Sequence, residues 1–135
     1  FWLLAAPDGH AKNFSIFLGR EGRFTLTPLY DVMSVYPILG HGSKKISPQK
    51  LQMAMAVLGK NRHYKWLKIH KRHWMETSRR SGAEKLCSSL IDEILATMDE
   101  VLDTVSMRLP ADFPESIAKP IFDGMRLCAR RLSIP

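Results

Sequence analysis

Asp8, His10, Lys12 and Asn13 fall within six consecutive positions, and a second aspartate, Asp31, follows two short apolar runs. Those residue types suit phosphoryl transfer. The reaction needs a carboxylate to position the attacking hydroxyl, oxygen ligands for the magnesium that bridges nucleotide phosphates, and a cation near the transferred group. Asp8 precedes Asn13 by five positions, the order and spacing expected of a positioning aspartate and a metal-binding amide, and Asp31 can return as the second metal ligand. Lys12 is long enough to reach a transferring phosphate, and His10 can orient the loop by bonding backbone or nucleotide. Taken singly, each also fits an ordinary role: Asp-Gly is a common turn pair, asparagine caps loops, and an aspartate can end a strand.

These groups need elements to hold them. Phe1 to Ala6 is apolar and uncharged and reads as the last turns of a buried helix whose earlier part is absent. Phe14 to Leu18 and Arg23 to Thr27 flank Gly19-Arg20-Glu21-Gly22, which predicts a β-hairpin bringing Asp31 back beside the Asp8 loop. Pro28, Pro37, Gly40, Gly42 and Pro48 then predict loop, and Leu51 to Leu58 is ambiguous between strand and helix. Tyr64 to Arg80 suggests helix with a break near Lys71. Ser81 and Glu84 have capping-box spacing, predicting a helix from about Gly82 with Leu86, Leu90, Ile91, Ile94, Leu95, Met98, Val101, Leu102 and Val105 on one stripe. Leu109-Pro110 ends it, and a last helix follows Pro114, carrying Ile117, Ile121, Met125, Cys128 and Leu132, with a kink predicted at Pro120. The fold class is therefore mainly α with a small β component (α+β).

The chain has 135 residues, 45% of them hydrophobic, enough for one core, and a net charge of +7. The charge is uneven: Lys60, Arg62, Lys65, Lys68, Lys71, Arg72, Arg79 and Arg80 precede an acidic stretch of Glu84, Asp92, Glu93, Asp99, Glu100 and Asp103. The basic run, with Tyr64, Trp66 and Trp74 interleaved, is either a solvated helix face or a nucleic-acid surface. No apolar run approaches the ~18 residues of a membrane span. Cys87 and Cys128, each within an apolar pattern, read as buried thiols of a cytoplasmic protein. His63, His70 and His73 lack the companions of a zinc site and read as structural or surface groups.

The segments "DGHAKNFSIFL" and "LTPLYDVMSVYP" closely resemble those of the HipA-type toxin kinases, bacterial serine/threonine protein kinases of type II toxin-antitoxin systems. The resemblance continues through "RHW", Arg72 to Trp74, and "LPADFPESI", Leu109 to Ile117. It implies the helical C-terminal lobe of a protein-kinase-like fold over residues 1–135, with the catalytic loop, hairpin and metal-binding aspartate in 1–36 and a helical bundle in 60–135. By the same resemblance Asp8 is catalytic, Asn13 and Asp31 bind Mg2+, and His10, Lys12 and Tyr30 lie at the ATP. The implied substrate is a protein, glutamyl-tRNA synthetase for the family, whose phosphorylation inhibits translation and favours persistence. The implied partners are a HipB-like antitoxin and, through it, operator DNA, for which Arg79 and Arg80 are the expected contacts. Pro7 departs from the family pattern, where a small polar residue is expected.

No Gly-rich phosphate loop followed by a strand lysine occurs in these 135 residues, so alone they are expected not to turn over ATP. The alternative function is a non-catalytic helical module that binds an antitoxin or DNA, which would have no need of the Asp8, Asn13 and Asp31 set.

Overall fold

The computed structural model describes residues 1–134. Seven regular elements follow one another: strands β1 (Ile16–Leu18), β2 (Phe24–Leu26), β3 (Gln52–Leu58) and β4 (Arg62–Lys65), then helices α1 (Lys71–Arg80), α2 (Glu84–Arg108) and α3 (Glu115–Arg130). The α+β expectation holds, with the strands in the first half and the helices in the second.

The first hairpin forms where its turn residues predict. Glu21 and Gly22 take positive φ values of 59° and 75°, and the strands pair antiparallel with Ile16 opposite Leu26 and Leu18 opposite Phe24. All six strand residues are exposed, so the hairpin projects from the body. Ahead of it, the Ala6 amide donates to the Phe1 carbonyl and the Ala5 amide to that of Trp2, with Ala5 at φ 45°. This is the hydrogen-bond pattern that closes a helix C-terminus.

A second antiparallel hairpin resolves the ambiguity at Leu51 to Leu58 and corrects the expectation of helix from Tyr64. β3 pairs with β4, Gln52 opposite Lys65 and Leu58 opposite Arg62, with an irregularity between. Met53 and Val57 point into the core. Trp66–Lys68 is a single 3-10 turn, and α-helix begins only at Lys71. The reason is tertiary: the Arg131 guanidinium sits over both indoles, 5.1 Å from Trp2 and 5.3 Å from Trp66, and donates to the carbonyls of Trp66, Leu67 and Ile69. Carbonyls that a continuous helix would use internally are taken by a side chain far along the sequence.

The capping box at Ser81 does not form. The Gly82 amide donates to Arg79 and the Ala83 amide to Ser78, with Gly82 at φ 69°, so Gly82 terminates α1 instead of starting α2. The Ser81 hydroxyl bonds back to the Thr77 carbonyl, and α2 starts at Glu84. The α2 stripe is only partly covered: Ile91 and Leu102 are buried, whereas Leu86, Leu90, Val101 and Val105 are exposed. Helix α3 runs through Pro120 as one element.

The core joins both ends of the chain around Trp2, Tyr36, Leu51, Trp66, Ile69 and Cys128. Trp2 and Trp66 each donate an indole N–H to the other's carbonyl, at 3.2 and 2.9 Å. Tyr36 wedges against α3, its hydroxyl shared between the carbonyls of Leu3 and Gly124 at 3.0 and 2.8 Å. Burial pushes the Tyr36 hydroxyl and the Cys128 thiol toward their neutral forms, the thiol up to about 11. Both cysteines are free thiols, Cys128 buried and Cys87 half-buried.

Candidate active site

The Asp8 loop is held from three sides. The Val35 amide donates to the Ala5 carbonyl at 3.1 Å, and the Ala54 amide of β3 to the Pro7 carbonyl at 2.8 Å. Between these anchors Gly9 packs against the Phe1 side chain so closely that a Cβ there would lie 2.7 Å from the Phe1 Cβ and overlap the ring. Phe1 in turn packs on Phe14, ring centroids 5.6 Å apart, at the start of the hairpin. Asp8 is thus presented from a braced turn with its carboxylate 70% exposed.

A short 3-10 turn, Ala11–Asn13, follows. Asn13 is 2% exposed, its carbonyl oxygen accepting from the His10 amide at 2.9 Å and its amide nitrogen donating to the Asp31 carboxylate at 3.3 Å. Asp31 holds φ 56°, a left-handed conformation that aspartate tolerates better than most residues. The return strand therefore brings Asp31 onto Asn13, as the hairpin geometry predicts. His10 lies beside Asp8, Nε2 to Oδ1 3.9 Å, and its Nδ1 is enclosed with no partner among the described residues. The Lys12 side chain is exposed and makes no ion pair among the described residues.

The Tyr30 hydroxyl also makes contacts within the chain. It donates to the Lys12 carbonyl at 2.7 Å and lies 2.7 Å from the Ser15 hydroxyl. Sequence reasoning missed Ser15, Gly9 and Phe1 as supports of the site. Gly9 was open to view as half of an Asp-Gly turn, but nothing local to Phe1 or Ser15 marks them.

The site matches a cation of magnesium type in its donor chemistry. Asp31 carries carboxylate oxygens and Asn13 one side-chain oxygen, which here also accepts the His10 amide while the Asn13 NH2 faces Asp31; these are the hard-oxygen donor types that magnesium takes together with phosphates and water. Among the described residues no three His, Cys, Asp or Glu side chains gather as a metal site of another type. That includes His63, His70 and His73, which cluster as a structural stack. His63 and His73 lie face to face at 3.8 Å, and the His73 Nδ1 accepts the His70 amide at the start of α1. Burial, then the neighbouring His63 and Arg72, pushes His73 down to about 4.

A family model described as the HipA-like C-terminal domain matches residues 1–104, which contain the whole of this loop, hairpin and aspartate. The chain belongs to that family. The HipA-like domain carries its basic run as two different surfaces. Arg79 and Arg80 are exposed and both engage Glu76, Nε to carboxylate oxygen 2.8 and 2.6 Å, and Arg80 also donates to the Gly59 carbonyl. Their hydrogen bonds hold the Glu76 carboxyl down to about 2. Lys60, Arg62, Lys65 and Lys68, on and after the second hairpin, form no ion pair among the described residues. No helix among the described residues is long and apolar enough to cross a membrane.

Proposed function

We propose that this HipA-like domain is the larger-lobe side of the phosphoryl-transfer site of a serine/threonine protein kinase toxin that uses ATP and Mg2+. The observation that carries the reading is the contact between Asn13 and Asp31, eighteen positions apart, beside the braced Asp8 turn. Asp8, exposed and next to His10, orients the serine or threonine hydroxyl of a protein substrate and accepts its proton. Asn13 and Asp31 would hold the Mg2+, which would supply positive charge to offset the negative charge of the nucleotide phosphates. Lys12 reaches from the same turn toward the transferred group, and His10 and Tyr30 border the nucleotide.

The family resemblance extends the reading to a cytoplasmic toxin-antitoxin protein. Its protein substrate would be glutamyl-tRNA synthetase, its regulator a HipB-like antitoxin, and its physiological effect translational arrest and persistence. The test is Mg2+-dependent binding of ATP by calorimetry, with Asp31→Ala as the comparison. The reading expects weak binding in the parent chain and at least a tenfold loss in the variant. Equal affinity with and without Asp31 would remove it. The 135 residues by themselves should show no autophosphorylation, because they contain no Gly-rich loop with a paired strand lysine.

A second reading, a non-catalytic helical module for an antitoxin and/or operator DNA, draws support from the cations of the second hairpin, which form no ion pair among the described residues, and the exposed guanidiniums of Arg79 and Arg80. Charge reversal at Arg79 and Arg80 should flatten the salt dependence of operator binding by a toxin-antitoxin complex. An unchanged slope would exclude these two arginines as phosphate contacts.

A further inference from the structure

We infer that the Tyr30 hydroxyl, assisted by Ser15, is a positioning group that sets the separation of Asn13 from Asp31; this rests on the reading of those two residues as cation ligands. The backbone ladder of the first hairpin ends short of the candidate ligands. Its last backbone rung toward the site is the Thr27 amide donating to the Ser15 carbonyl at 3.0 Å. The next position on that strand whose N–H would face the partner is Leu29, opposite Asn13, and it makes no backbone bond among the described residues; Pro28, between Thr27 and Leu29, sits at a non-hydrogen-bonded position. Beyond the Thr27 rung the two chains are free to splay, and the candidate ligands lie just past that point.

A side-chain rung replaces the missing backbone one. The Tyr30 hydroxyl donates to the Lys12 carbonyl at 2.7 Å, and the Ser15 hydroxyl, also at 2.7 Å, can donate to the Tyr30 oxygen. This satisfies both lone-pair and donor requirements of the phenol. The bond joins the residues that immediately precede each candidate ligand, Lys12 before Asn13 and Tyr30 before Asp31. Asp31 then leaves Tyr30 at φ 56°, so its direction depends on where Tyr30 is fixed. The direct Asn13–Asp31 contact, at 3.3 Å, is long for a hydrogen bond and would not by itself set the distance.

The test separates this role from ring contact with a nucleotide. Binding of Mn2+ alone, read by electron paramagnetic resonance, is compared for the parent chain, Tyr30→Phe, Tyr30→Ala, Ser15→Ala and Asp31→Ala. In the metal-free proteins, nuclear magnetic resonance follows the Asn13 side-chain NH2 and the exchange rate of the His10 amide. Positioning by the hydroxyl expects Tyr30→Phe to weaken Mn2+ binding about threefold to fivefold, as for one modest net hydrogen bond, nearly as much as Tyr30→Ala. It expects Ser15→Ala to weaken binding less, and both phenol variants to shift the Asn13 NH2 and speed His10 exchange by a similar factor. If Tyr30→Phe leaves the Asn13 and His10 signals unchanged, the positioning role is overturned whatever the metal does. If those signals move but the parent chain and Asp31→Ala bind Mn2+ equally, the cation-site reading fails, and with it the claim that the clip serves a cation.

Discussion

Gly124 tests how the last helix holds the front of the molecule. It lies inside α3, where glycine costs up to about 1 kcal/mol relative to alanine, so propensity alone says that Gly124→Ala stabilises. The packing says the reverse. A Cβ at Gly124 would sit 2.6 Å from the Tyr36 Cζ and closer still to other atoms of the ring. The ring would have to withdraw, loosening the hydroxyl from the carbonyls of Leu3 and Gly124. Overpacking of this kind costs about 1–3 kcal/mol, and weakening a shared hydrogen bond adds about 1 kcal/mol. Against the propensity gain, the net is a destabilisation of about 2 kcal/mol, or roughly 6 °C in melting temperature for a domain of this size. Urea unfolding followed by tryptophan fluorescence measures it directly, since Trp2 and Trp66 lie in the same core. The decisive control is the background Tyr36→Ala, in which the obstacle is gone and Gly124→Ala should become neutral or stabilising. If Gly124→Ala stabilises the parent chain, or costs the same in both backgrounds, the close approach of Tyr36 to α3 is not what selects glycine.

Other consequences follow from the same contacts. Arg131→Lys keeps the charge but loses the planar fork that lies against two indoles and bonds three carbonyls, so it should cost about 2 kcal/mol in urea unfolding, whereas a loss within experimental error would mean the fork contributes little. His73 is held neutral in the fold, near 4 against an ordinary value of 6.5, so the unfolded chain binds the extra proton between those values. Its contribution is therefore complete above pH ~6.5 and is lost as pH falls toward ~4, by about 3 kcal/mol, and His73→Gln should flatten that part of the stability–pH curve. Gly9→Ala should disturb the Asp8 turn, because its Cβ meets Phe1; chemical-shift changes confined elsewhere than residues 7–13 would count against the bracing of that turn.

The sequence carried the candidate site almost whole. Asp8, Asn13 and Asp31 were legible because their spacing is set by local elements: a turn before a strand, a Gly-containing hairpin loop of fixed length, and an aspartate just after the return strand. The ends of α2 and α3 were legible for a similar reason, since Pro110 and Pro114 restrict the backbone wherever they occur. At Gly82 two local signals competed. Ser81 and Glu84 had the spacing of a helix start, but a glycine in the left-handed region closes the preceding helix with two hydrogen bonds and prevailed.

What tertiary structure alone decided involves partners far apart in sequence. The apolar pattern around Trp66 is compatible with helix until Arg131, sixty-five positions later, takes its carbonyls and both faces of the indole pair fill the core. Gly124 is an unremarkable helix glycine until Tyr36 lies on it. The Tyr30 hydroxyl reaches the Lys12 carbonyl only because the hairpin folds back, and no spacing rule assigns a phenol to a missing backbone rung. Local sequence thus placed the candidate groups within reach of one another, because turn and strand preferences act over a few residues. Their distances and supports were set by packing, which joins residues whose proximity no local preference encodes.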